Sequence, residues 1–210
     1  MRHPHLTDPE VINGGGHEAI PDPLLVEAIA LTAEVCGLAL SSAAAEMLAS
    51  DLTGFDQSVI LAALKRCRME LQGRLRLTDI LARIEDGRPS ADEAWTAMPK
   101  TEHASVVWTE EMAQAWGMAS PLLARGDDMG ARAAFQEAYV KAVLAARIKR
   151  VPVHWMPSLG SDVAGRESVL LDALEKQRLP ASHVAQLLPV RTVPSGAREI
   201  FAQLKLKKLH

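Results

Sequence analysis

Helix start and stop signals recur along this chain at intervals that leave room for little besides short helices. Asp22-Pro23 is a capping acid followed by proline in the first turn, and Gly37 sits where that helix should end. Ser41 or Ser42 opens a second segment that stops at Gly54, and Asp56 opens a third that should run to Gly73. Thr78 heads "DILARIED", which Gly87 and Pro89 stop, and Ser90 with Glu93 forms a capping box for "ADEAWTAM", ended by Pro99. The apolar residues filling these segments are mostly Ala and Leu, with only 4% aromatics and few β-branched runs, a supply that favours helix over sheet. The expected fold is all-α: a multi-helix bundle with a helical hairpin in the C-terminal half, a flexible N-terminal arm and a basic C-terminal tail.

The third segment shows what such a helix should bury. Ile60, Ala63, Leu64, Cys67 and Leu71 fall on one narrow face at about 100° per residue. Val106-Val107-Trp108 reads as a short extended piece with no evident partner strand. Thr109 then starts a helix that Pro121 should kink or interrupt. After a turn at Gly126-Asp127, a long helix should run from about Asp128 to Lys149 over Ala131, Ala134, Phe135, Ala138, Val143 and Ala145, with Ala142 beside them. The pair resembles one tetratricopeptide-type hairpin through Gly126, Asp127, Ala131, Phe135 and Ala138, with small Ala119 at the crossing. Val143 stands at the closing-proline position, and no second copy follows at 34-residue spacing, so the expectation is an antiparallel hairpin outside the repeat family. A later helix should be capped by Ser161 or Asp162 and end near Arg178, and Ser182 should cap a short turn before Pro189. The predicted organisation is a disordered arm over 1–21, a small helical domain over 22–99, the hairpin plus a capping helix over 100–190, and a basic amphipathic tail over 191–210.

Charge is unevenly placed. The formal net charge is −3, yet residues 147–210 carry 11 Lys and Arg against 5 acids. "LKRCRMELQGRLRLTDI", residues 64–80, sets Lys65, Arg66, Arg68, Arg74 and Arg76 against the single early acid Glu70. Lys65 and Arg68 should project away from the apolar stripe, and Arg66 has Glu70 four residues on. A helix exterior and the negative end of its macrodipole account for some of these charges, and Arg74 and Arg76 extend them beyond the helix. In the tail, Arg198, Lys205, Lys207 and Lys208 stand beside Ile200, Phe201, Leu204 and Leu206, the pattern of a basic amphipathic helix. Both patches are candidate surfaces for nucleic acid or a protein partner, each neutralising a few phosphates with strong salt dependence.

Signatures of catalysis are scarce. Gly14-Gly15-Gly16 lacks the Lys-Ser/Thr of a phosphate loop, and no serine sits in a strand-to-helix elbow. Seven scattered histidines form no His-x-x-x-His pair, so neither metal nor cofactor is expected. His3, third from the amino end, with His5 and His17 nearby, has the donors for copper but no regular acidic or thiol partner. Glu110-Glu111 and Asp127-Asp128 sit where helix N-termini favour acids. His154-Trp155 is the most enzyme-like spot, though a packed loop anchor explains it more simply. Cys36 and Cys67 read as buried thiols of a reducing compartment. With no apolar run near the ~20 residues of a membrane span and no apolar core in the N-terminal stretch, the expected location is cytoplasmic.

One stretch resembles a known group. "DLTGFDQSVILAALKRCRMELQGRLRLTDILARIEDGRPSADEAW", residues 51–95, is similar to small helical phage and prophage replication-module proteins of the helicase-loader or replisome-organiser type. The matching positions are Phe55, Ala63, Leu64, Leu77, Asp79 and Ile80, where an aromatic-capped helix precedes a basic segment and a second short helix. Arg76-Leu77-Thr78 replaces the prolines usual in that turn. "VVWTEEMAQAW" and "GARAAFQEAY" also look like segments of prophage proteins. The resemblance implies a non-enzymatic DNA replication accessory that binds a replicative helicase. The alternative expectation is a helical adaptor or inhibitor that binds another protein through the 109–149 hairpin, without nucleic acid. Oligomeric state is not legible.

Overall fold

A computed structural model describes residues 21–99 and 101–188, and the chain is mostly helical. It divides into two compact units after Leu77. The expected arm, except Pro21, and the tail with Arg198, Phe201, Lys205, Lys207 and Lys208 lie outside the described residues.

The first unit holds α1 (Pro23–Val35), α2 (Ser42–Asp51) and α3 (Gln57–Glu70). Asp22 caps α1 by accepting from the Leu24 amide at 2.9 Å, and Ser41 caps α2 through the Ala44 amide. Gly37 ends α1 at φ +97°, donating to the Glu34 carbonyl while Leu38 donates to that of Ala33. That left-handed exit is one that glycine adopts without a Cβ penalty. Gln57 Nε2 donates to Asp22 at 2.9 Å, and the Cys36 thiol lies 3.9 Å from the Cys67 carbonyl, so α1 and α3 run in the same direction side by side, and α2 packs against α1. Ile29, Ala45, Ala49, Ile60, Leu64 and Cys67 are buried, and both cysteines are free. Leu71, the last member of the predicted stripe, is half-buried because α3 ends at Glu70.

The second unit contains α4 (Leu77–Ala82, beginning on the boundary residue), α5 (Ala91–Thr96), β1 (Val106–Thr109), α6 (Glu110–Leu123), α7 (Asp128–Ile148), β2 (Trp155–Ser158), α8 (Val163–Glu175) and α9 (Ala181–Leu187). Thr78 lies inside α4 and does not cap it. The 22–99 domain expected from sequence is therefore split: α5 contributes Ala94 to the core around Phe135, and the loop before it is tied to α6 and α7.

The mostly helical chain also carries one small sheet among the described residues. Val106-Val107-Trp108 does have a partner: β1 pairs antiparallel with β2, Val106 opposite Ser158 and Thr109 opposite Trp155. Alternation along β1 then serves two cores, because successive strand residues face opposite sides. Val106 joins Met112, Ala115, Ala131, Phe135 and Tyr139 beneath α6 and α7, whereas Val107 joins Leu170, Ala173, Leu174 and Val184 beneath α8 and α9. Thr109 closes the strand and caps α6, accepting from the Met112 amide at 3.4 Å.

α6 and α7 form a hairpin around the Gly126-Asp127 turn, where Asp127 accepts from the Gly130 amide at 2.8 Å. Pro121 does not interrupt α6. It stands two residues from the helix end, where one ladder hydrogen bond is forgone and the preceding turns remain intact. The buried row of α7 is Ala131, Phe135, Tyr139, Val143 and Arg147, each four residues apart, while the predicted Ala145 is exposed. Asp162 caps α8 through two amides at 3.1 Å, and α9 begins after Pro180 without a side-chain cap from Ser182.

Candidate functional site

The basic cluster of the first unit divides on inspection. Arg66 is tied to Glu70 by a 3.0 Å bond one turn on, an exposed pair worth about 0.3–0.5 kcal/mol. Arg68 does not simply project outward: its guanidinium reaches back to α1 and donates to the buried Thr32 hydroxyl at 2.7 Å. A long side chain can cover apolar surface and still place its head on an otherwise unsatisfied polar atom. Lys65, Arg74 and Arg76 are exposed. Part of the cluster is thus architectural, and the remaining charges lie on the surface of the first unit.

The second unit buries Arg88, Glu111 and Arg147 and half-buries Asp86, and of these sequence reasoning singled out only Glu111, as a helix-start acid. Arg88, in the loop between α4 and α5, has a side chain only 1% exposed. It donates to Glu111 of α6 at 2.7 and 3.0 Å, to Asp86, and to the Val151 carbonyl at 3.0 Å. Arg147 of α7 grips Asp86 through two bonds of 3.0 and 3.1 Å, and its remaining nitrogen caps α4 by donating to the Leu81 and Ala82 carbonyls. Two cations against two carboxylates leave the set neutral. Burial pushes the Asp86 carboxyl up, but the bonds and charge of Arg147, then of Arg88, outweigh it and hold it below the usual range. Burial likewise opposes ionisation of Glu111, and the Arg88 bond overcomes it. Nearby, the Tyr139 hydroxyl donates to the Pro89 carbonyl at 2.8 Å, and burial raises its pKa strongly. Every carboxylate in this set is held by guanidinium, so the arrangement clamps α4, α6 and α7 and offers no poised acid or base.

His103 Nδ1 lies 2.7 Å from Ser161 Oγ, a histidine–hydroxyl contact that spacing did not reveal. Both residues are exposed, and the same loop pair is joined by Asp162 donating to the His103 carbonyl at 3.0 Å. The contact closes two loops. His154 is exposed, whereas Trp155 is the expected anchor, placed in β2, half-buried against both cores, with the Arg178 guanidinium 4.2 Å above its ring.

A groove of about 940 Å³ lies beside the hairpin, lined by α5, the segment after it, α6 and the start of α7. Its floor is aromatic and apolar: Trp95 and Trp116, with ring centroids 6.2 Å apart, together with Met98, Pro99 and Leu123. Trp95 is fixed from below by Phe135 at 5.3 Å, which in turn stacks on Tyr139. Its charged residues, Glu102, Asp128 and Arg132, are exposed at the edge. Arg132 is positioned by Asp92 at 2.8 Å, and Gln136 donates to the same carboxylate at 2.7 Å. The floor is rigid because it rests on a core, and the rim remains wet. Sequence offered one hint: all four tryptophans fall between residues 95 and 155 of a chain poor in aromatics.

Among the described residues, no group of acids, histidines and cysteines is arranged to hold a metal, and no helix is long and apolar enough to cross a membrane. No family model, curated protein or solved structure matches this chain.

Proposed function

We propose that this chain is a non-catalytic helical adaptor that binds a segment of another protein in the groove beside the α6–α7 hairpin. The observation that carries the reading is the groove's composition. Two tryptophans form an apolar floor resting on the core, Thr96, Thr101 and Ser120 add neutral polar lining, and the charges stand exposed around it. Protein interfaces have that anatomy, with aromatic anchors at the centre and a hydrated polar rim. Metabolite sites place convergent polar groups inside the pocket, and the buried polar groups of this unit spend their bonds on each other. Site-specific photo-crosslinking tests the proposal: a benzophenone amino acid at position 124, in the groove, should yield polypeptide adducts in cell lysate. The same group at Val140, exposed elsewhere on α7, should not. Equal labelling from both positions, or none from 124, refutes the proposal.

A second reading keeps the replication accessory that the 51–95 resemblance implies, with a replicative helicase, with or without DNA, as partner. It is favoured by Lys65 and Arg74 standing exposed in the first unit. Anisotropy titration of single-stranded and duplex DNA across salt separates the readings. Salt-sensitive binding that Lys65→Glu with Arg74→Glu abolishes supports it. No binding at low salt, with no capture of the helicase, removes it.

A further inference from the structure

The outer side of α1 carries a second apolar surface, independent of the groove. Leu24, Ala28, Leu31 and Val35 follow one another at steps of four, three and four residues, up to the last residue of the helix. At about 100° per residue they form a single ridge about 60° wide. Leu24, Leu31 and Val35 are 68%, 54% and 65% exposed. The core of the first unit is served by a different row of the same helix, Leu25, Ile29, Thr32 and Ala33. The ridge therefore has the four-three spacing of a helix-pairing seam and is not needed for the unit's own packing.

Charge selects the occupant. Between Pro21 and Leu64 the chain carries six acids, Asp22, Glu27, Glu34, Glu46, Asp51 and Asp56, and no Lys, Arg or His. Glu27 and Glu34 lie along the flank of the ridge away from the core row, where a paired helix would place its own flanking residues. A second copy would bring acid against acid, and an anionic lipid surface would be repelled for the same reason. We propose that the outer ridge of α1 docks a cationic amphipathic helix of a partner protein. The 13 residues of α1 span about 20 Å, enough to pair with roughly four turns of such a helix.

The test uses the full chain and a fluorescent peptide of about 18 residues, built of Leu at four-three spacing with Lys elsewhere, alongside the same peptide with Glu replacing Lys. The Lys peptide should bind and the Glu peptide should bind at least about tenfold more weakly. Leu31→Ser with Val35→Ser should weaken the Lys peptide about tenfold or more while leaving circular dichroism unchanged, since both side chains are exposed. Glu27→Lys with Glu34→Lys should reverse the order of the two peptides. Unchanged binding by the serine variant overturns the proposal. Equal binding of both peptides, uptake onto anionic vesicles, or a dimer that the serine changes dissolve each does the same.

Discussion

Replacing Arg88 by methionine tests the buried charge set most sharply. The side chain is 1% exposed and supplies the ion pair to Glu111, one of two to Asp86, and a bond to the Val151 carbonyl. Methionine fills similar space and removes all three. Asp86 keeps both bonds to Arg147, so most of the loss falls on Glu111, left ionised in a site where burial already opposes its charge. Breaking a buried pair from one side costs about 3–5 kcal/mol, and the partial rescue of Asp86 places Arg88→Met near 3 kcal/mol at neutral pH. All four tryptophans lie in the second unit, so their emission in a urea titration follows that unit alone. The sign with pH follows from the depressed carboxyl pKa values. In the wild type, Asp86 and Glu111 contribute stability that is full above the unfolded carboxyl pKa of about 4 and is lost as pH falls through the lower folded values. In the variant Glu111 has lost the guanidinium that depressed its pKa, so it takes up a proton more readily and the gap to wild type narrows between pH 7 and about pH 4. A cost below about 1 kcal/mol, the size of a surface pair, or a gap that widens toward acid would refute the clamp.

Tyr139→Phe should cost about 1 kcal/mol by removing the bond to Pro89, read by the same titration. Because burial raises the Tyr139 pKa, wild-type stability should fall as pH rises above about 10, and the Phe variant should lack that fall. The chain's single tyrosine makes its ionisation directly visible by tyrosinate absorbance. Gly160→Ala should destabilise the second unit by about 2 kcal/mol or more, since a Cβ there would overlap the backbone carbonyl of His103. Trp emission in urea again measures it. Gly37→Ala should cost about 1–2 kcal/mol, measured by circular dichroism, because alanine must adopt the positive φ that ends α1.

Local chemistry was readable at most helix starts, though Thr78 lies inside α4, Ser182 does not cap α9 and Pro121 does not interrupt α6. Asp22, Ser41, the Ser90–Glu93 box, Thr109, Asp127 and Asp162 all begin helices as their side chains dictate, and Arg66 pairs with Glu70 one turn away. Long-range partners were not readable. Nothing near Val106 specifies Trp155–Ser158 across the intervening hairpin, and Pro157 makes that segment look like a loop. Arg147 stands in register with the apolar row of α7, but an arginine at a helix end ordinarily belongs to the solvent face. Asp86 and the carbonyls of Leu81 and Ala82, all distant in sequence, explain its burial. The unit boundary was misplaced for the same reason, because Arg147 bonds to α4, Glu111 bonds to Arg88 in the following loop and Phe135 packs against α5. The groove combines side chains from three helices and a linking segment, and no periodicity marks such a combination.

Binding in the groove requires a partner to land beside the α6–α7 hairpin. Hydrogen–deuterium exchange on the intact chain with the photo-captured partner bound reads that directly. Exchange should slow over residues 95–99, 101–102, 116–124 and 128–132, around Trp95 and Trp116. Protection confined to residues 57–76, beneath the basic cluster, with the groove segments unchanged, would contradict it.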